Sequence, residues 1–256
     1  MSSFNLNDHV YRLLQNEPFF AALSRRIDKK PGPVPTAGVR VNEEGYFEMI
    51  YNPDFFASMT DEQKQGVLIH EFYHLVFEHV TGRLPDELAP VMAGGSPTQA
   101  EQLLFKLWNI GADLSINYHI GAERLPESCC IPGGPQFEDM PGDMTAEWYY
   151  DKLKEKMEGQ GEGGSGEGDE SGDGEGGSGG QFDPDNAGQF DDHADWGKGN
   201  PTPEEQAALD IAKERLKEAL KDAANEAANK GWGTVSGRCR KEIMERLSTK
   251  VDWRKV

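Results

Sequence analysis

The start of this chain has no basic stretch followed by an apolar one, so Met1 to Val10 does not read as an export signal. No apolar run approaches the roughly 20 residues that a membrane span requires. A cytoplasmic protein that does not enter the membrane is therefore the expectation. Cysteine is also scarce: Cys129, Cys130 and Cys239 form neither a CxxC pair nor an even-numbered framework. That excludes a disulfide scaffold and fits a reducing compartment. Positive charge is in deficit, with 26 Lys and Arg against 45 Asp and Glu and a formal charge of −19. No basic patch with interleaved aromatics occurs, so nucleic acid is not the expected partner.

Between Gly159 and Gly180 apolar side chains are missing altogether, and six acidic residues stand there without a basic one. Such a tract has nothing to bury and reads as a disordered linker or long surface loop. It divides the 256 residues into three expected parts. Residues 1–158 form a core, 159–181 an acidic glycine-rich linker, and 182–256 a segment whose closing helices pack back on that core.

What the chain does contain is centred on Thr60 to Gly82, where His70-Glu71-Phe72-Tyr73-His74 makes an HExxH motif. Thr60 and Gln63 form a capping box, Gly82 and Arg83 mark the far end, and apolar residues from Val67 to Phe77 recur at spacings of three and four. The stretch reads as one amphipathic helix. Residues four apart on a helix differ by only about 40° around its axis, so both imidazoles can reach one metal ion. Glu71 is turned too far to bind that ion but can reach a water beside it and act as general base. Zinc is the expected ion. Glu78, one turn after His74, is placed to support it, whereas His79 falls about 140° away and reads as an exposed residue at the helix end.

The elements around this helix are also legible. Asn7 to Ile27 reads as a first helix, bent at Pro18, and Arg25 to Pro35 as the break that ends it. Ala37–Val41 and Tyr46–Tyr51 read as a hairpin, whose outer strand either pairs with an extended substrate backbone or is simply a sheet edge. Ser96 as N-cap opens a helix to about Ile120, on which Asp113 and Asn117 share one face of a mostly apolar element. Buried carboxylates are uncommon unless paired or metal-bound. Asp113 is accordingly the expected third ligand, the alternative being a helix-to-helix hydrogen bond, and Asn117 would orient Asp113 or a histidine. Further helices follow over 146–157, from Thr202 to about Lys230, and around Ile243 to Leu247. His193, framed by Asp191, Asp192 and Trp196, reads either as a ligand in place of Asp113, as a proton donor to an oxyanion, or as a surface histidine. Tyr118 and His119 are weaker oxyanion candidates.

The fold class expected is α+β, mainly helical, with a small hairpin or sheet packed on the HExxH helix in a zincin-like domain. The combination of HEFYHLVFEH, WNIGADLSIN, a Thr-Ala-Glu-Trp-Tyr-Tyr segment, an acidic glycine-rich insert, DDHADW and a closing Val-Asp-Trp-Arg resembles the predicted metal-dependent peptidases of bacteria and their viruses. In that family the peptidase domain precedes a von Willebrand A-like domain and is often encoded beside a MoxR-type AAA+ ATPase. The resemblance implies zinc ligands at His70 and His74, the base at Glu71, and family-typical polar positions at Asp113, Asn117 and His193. It also implies a peptide or protein substrate, that ATPase as a partner, and a bacterial or phage-infected cell as the setting. The sequence stops where the A-like domain would begin and carries no Asp-x-Ser-x-Ser signature. The function expected is hydrolysis of peptide bonds by a zinc endopeptidase. The alternative is a non-catalytic, zinc-stabilised adaptor for a AAA+ ATPase or a viral assembly component.

Overall fold

A computed structural model describes residues 4–88, 98–127, 129–162, 182–188 and 202–248. A short 3-10 turn at Leu6–Asp8 leads into α1 (Val10–Leu13) and α2 (Pro18–Ser24). One long first helix does not form. Pro18 has no N–H to donate and sits in the first turn of α2, where none is needed, so it opens a helix instead of bending one.

The chain then forms β1 (Ile27–Pro31), β2 (Ala37–Val41) and β3 (Phe47–Tyr51). The hairpin expected from the sequence is present, with β2 antiparallel to β3. The sheet has a third strand, in the order β1-β3-β2, because β1 adds parallel to β3 inside the segment read as a break. Its side chains hide this: only Ile27 of the five is buried, and the pairing is carried by backbone groups. Charged residues on an edge strand also discourage pairing with another chain. Glu48 of β3 is buried beneath this edge and accepts hydrogen bonds from Lys30, Arg40 and Asn42 at 2.6, 3.2 and 3.2 Å.

Two short links, α3 (Pro53–Ser58) and the Thr60 cap, deliver the chain into α4 (Asp61–Val76). Both bonds of the capping box form, Gln63 N–H to Thr60 Oγ1 at 3.2 Å and Thr60 N–H to Gln63 Oε1 at 3.1 Å. The first turns of α4 meet solvent, but every residue from Gly66 to Val76 is buried. The helix is thus amphipathic only at its start, and its second half lies among β2, α1, α2 and α5 (Gln99–Ile120). Gly66 lets it approach closely, since a Cβ there would lie 1.8 Å from the Arg124 carbonyl oxygen.

α5 is capped by Thr98 and Glu101, not by Ser96, which lies outside the described residues. The reciprocal box needs a carboxylate or amide three residues on, and Glu101 supplies it to Thr98. α6 (Ala146–Glu162) packs along α5 and runs past the expected end, four residues into the glycine-rich tract. The rest of that tract lies outside the described residues. α7 (Pro203–Lys230) and α8 (Gly237–Leu247) are the last elements among the described residues, α7 packing against α2 and β2.

Among the described residues the apolar interior has two parts. One joins α2, the sheet, α4 and the inner faces of α7 and α8. The other joins the first half of α5 to α6, Phe137, Met140 and Phe182. α5 belongs to both, with Leu107 to Leu114 in the second and Ile116 and Ile120 in the first. Among the described residues no helix is long and apolar enough to cross a membrane.

Two outcomes follow for stability. Gly66→Ala forces a methyl group into the Arg124 carbonyl and is expected to cost about 3 kcal/mol, the upper part of the overpacking range, in urea denaturation. An unchanged midpoint would show that α4 does not pack this tightly. The hydrogen-bonded Lys30 ammonium, with Asn42 and Arg40 assisting and burial opposing, holds the Glu48 carboxyl below its ordinary value of 4.5. A depressed folded-state value means that this stabilisation is present above pH 4.5 and is lost as pH falls through the folded value. Glu48→Gln is therefore expected to destabilise by about 1 kcal/mol at pH 7 and to differ little from wild type in strong acid. An equal deficit at both pH values would refute the electrostatic account.

Candidate metal centre

The two histidines of HExxH lie in the half of α4 that is buried on every side. Both are 0 % exposed, as are Glu71, Asp113 and Asn117. Their spacing brings the Nε2 atoms to 2.8 Å of each other, with ring centroids 4.5 Å apart. The crossing of α5 over α4 then supplies a carboxylate. Asp113 Oδ1 stands 3.7 Å from His70 Nε2 and 3.6 Å from His74 Nε2, and one donor atom from each of the three residues lies within 4.8 Å of the other two.

These distances suit a small cation. Tetrahedral ligands bound at about 2.0–2.1 Å stand about 3.3–3.4 Å apart, and the observed separations bracket that value. The donor chemistry agrees, because two imidazole nitrogens and a carboxylate oxygen are a set that zinc and neighbouring ions take. Lone pairs gathered so closely repel one another unless a proton or a cation sits among them. The residues present therefore fit a divalent metal ion, which His70, His74 and Asp113 could hold. Among the described residues no further His, Cys, Asp or Glu joins the group.

A second layer turns these donors inward. Asn117, one helical turn after Asp113, donates from Nδ2 to the Cys130 carbonyl at 2.9 Å. That fixes its amide with Oδ1 facing His70 Nδ1 at 2.8 Å. An amide oxygen only accepts, so His70 carries its proton on Nδ1 and keeps the Nε2 lone pair for the centre. Asn117 thus orients a histidine. The Cys130 N–H in turn donates to the Gly188 carbonyl at 2.9 Å, tying the segment that follows the acidic tract to this layer.

At the end of α4 the structure exchanges the two roles expected from the sequence. Glu78 is exposed, with Arg246 3.9 Å away, while His79 is 1 % exposed and brings Nδ1 to 3.0 Å from His74 Nδ1. An offset of about 140° holds only while the helix continues, but α4 stops at Val76, and Glu78 takes a left-handed φ of 62° that folds His79 back. The apolar spacing gives no sign of this stop, since Val80 continues it three and four residues after Phe77 and Val76. The Cys130 carbonyl had no signal either, since a loop backbone atom carries none.

The remaining candidates fall elsewhere. Tyr118 is 48 % exposed, and its ring lies over Gly142. His119 sits by the rings of Tyr73 and Phe77 with Nε2 3.9 Å from Asp143, and burial pushes its pKa down. Neither faces the three donors. His193 and its neighbours Asp191 to Trp196 lie outside the described residues. A cavity of about 630 Å³ opens beside the hairpin and the start of α7, lined by Lys30, Arg40, Glu48, Thr81 and Glu205 among others. It reaches Val80, next to His79, but not the donors themselves.

Comparison with known proteins adds one finding. A family model described as a putative metallopeptidase domain matches residues 3–256. No curated protein and no solved structure matches.

The geometry predicts metal-dependent stability. Added zinc at about 1,000 times its dissociation constant is expected to stabilise the wild-type fold by about 4 kcal/mol, and a chelator to reverse this. His70→Ala and Asp113→Asn should lose most of the effect in the same thermal unfolding assay. Equal stabilisation of all three proteins would place the ion elsewhere.

Proposed function

The chain belongs to the putative metallopeptidase domain family, and on that premise we propose that it is a zinc-dependent endopeptidase of the HExxH type. The observation that carries this reading is the convergence of His70 Nε2, His74 Nε2 and Asp113 Oδ1. The three protein donors found among the described residues are the number that catalytic zinc sites use, whereas structural sites close the ion with four.

A zinc ion held by these residues would lower the pKa of a water molecule and polarise a peptide carbonyl. The work of the chain's own groups can be stated separately. His70 and His74 present their Nε2 lone pairs from a rigid buried helix, and Asp113 adds negative charge from a second one. Glu71, one residue after His70 and equally buried, takes the proton from the attacking water on its carboxylate and passes it to the departing amine. Burial strengthens each of these interactions by excluding bulk water. The placement of base and ligands on one helix is the zincin-like element of this reading.

One observation favours the second reading, a zinc-stabilised adaptor for a AAA+ ATPase or an assembly component. All three donors and Glu71 are 0 % exposed, which is the environment of an ion held for folding. The two readings part at Glu71, since an adaptor has no use for a base.

Glu71→Gln is expected to keep stoichiometric zinc by elemental analysis while its cleavage of a denatured protein falls about 10²- to 10⁴-fold. Cleavage at the wild-type rate would remove Glu71 from the mechanism. A zinc-loaded wild-type protein with no cleavage of any unfolded substrate would decide for the adaptor.

A further inference from the structure

The mechanism above leaves out one buried side chain that the end of α4 brings to the centre. The His79 N–H donates to the His74 carbonyl at 2.9 Å, and the Glu78 N–H donates to the Leu75 carbonyl at 3.0 Å. With Phe77 as the C-cap and Glu78 in the left-handed region, this is a Schellman ending. Such an ending folds the second residue beyond the cap back over the third residue before it, and an apolar contact commonly joins the two. Here those two residues are His79 and His74, and the contact is polar: Nδ1 to Nδ1 at 3.0 Å. The His79 ring is held from other sides by Trp108, edge-on at 5.9 Å, and by Phe77 at 5.8 Å.

A hydrogen bond between two imidazole nitrogens contains one proton, and which ring owns it decides what His74 offers at its other nitrogen. With the proton on His74 Nδ1, the neutral ring carries its lone pair on Nε2, the atom facing His70 and Asp113. With the proton on His79 Nδ1, a neutral His74 must carry its own on Nε2, and that atom can no longer bind an ion.

We propose that His79 is a positioning residue. It accepts at Nδ1 from the Nδ1–H of His74 and so fixes the tautomer and the ring orientation that present His74 Nε2 to the metal. It does for His74 what Asn117 does for His70, with a ring nitrogen in place of an amide oxygen. The inference rests on the metal reading above.

The test uses the whole chain, with zinc affinity measured by competition against a chromophoric chelator. His79→Phe keeps a ring but has no acceptor. His79→Asn keeps an acceptor, since its side-chain oxygen takes roughly the place of Nδ1. Zinc affinity is expected to fall about 10- to 100-fold in His79→Phe and to be largely recovered in His79→Asn. Nitrogen-15 NMR of the histidine rings in zinc-loaded wild type needs no variant, and should show His74 protonated at Nδ1 and His79 bare there. Wild type that binds no zinc overturns the metal reading and this inference together. Wild type that binds zinc beside a His79→Phe variant of equal affinity overturns this inference alone. So does equal loss in both variants, which would show that restoring an acceptor at this place does not restore binding, or a proton found on His79 Nδ1.

Discussion

Everything at the centre of this molecule depends on the crossing of α4 and α5. The second half of α4 is buried on all sides and still carries two histidines and a glutamate, and α5 adds an aspartate and an asparagine where the two apolar clusters meet. Polar groups withdrawn from water cost several kcal/mol unless they find partners. A residue on one helix cannot easily supply all the partners of another on the same helix. The crossing brings complementary groups together, and the position of each donor is then set by backbone on both sides.

α5 can act as a fixed support because it is gripped on opposite faces. Gly111 lies two residues before Asp113, about 200° around the helix, and a Cβ there would come within 2.9 Å of the Ala146 carbonyl and 3.0 Å of the Tyr150 nitrogen. The backbone of α6 therefore rests directly on one side of α5, while Asp113 and Asn117 face α4 from the other. Sliding α5 by even part of a turn would open a clash or a void against α6. The carboxylate is in this way positioned by a glycine that never approaches the donors.

How much of this was legible in the sequence follows from how local each determinant is. The capping box of α4 and the ends of α7 were legible because they need only residues within a turn of one another. The HExxH pair was legible for the same reason, and so was the shared face of Asp113 and Asn117. β1 was hidden because a parallel strand is defined by its partner, and four of its five side chains are not buried. The start of α5 was misplaced by two residues because Ser96 and Thr98 both make plausible caps, and only the position of Glu101 separates them. His79 was hidden by an assumption of continuity. A helical wheel holds only while the helix does, and one left-handed residue carried the side chain from the expected exposed position to the back of His74.

The buried carboxylates show why the centre reads as a site and not as ordinary core. Glu17 and Glu48 are each satisfied by fixed cations, Arg124 in one case and Lys30 with Arg40 in the other, and Glu17 also accepts the Thr234 N–H. These groups join separate parts of the chain and have a charge that does not change. Asp113, by contrast, has His70 and His74 beside it, with Nε2 atoms at 3.7 and 3.6 Å. An imidazole is not a permanent cation, and here Asn117 already commits one of the two to keeping its proton on the far nitrogen. With neutral rings the Asp113 carboxylate faces two imidazole lone pairs, an arrangement that a cation among the three would stabilise. A divalent ion held by His70, His74 and Asp113 would place that charge among the donors. The same arrangement that would be a poor core is a good metal centre, and the contrast lies in the partners, not in the depth of burial.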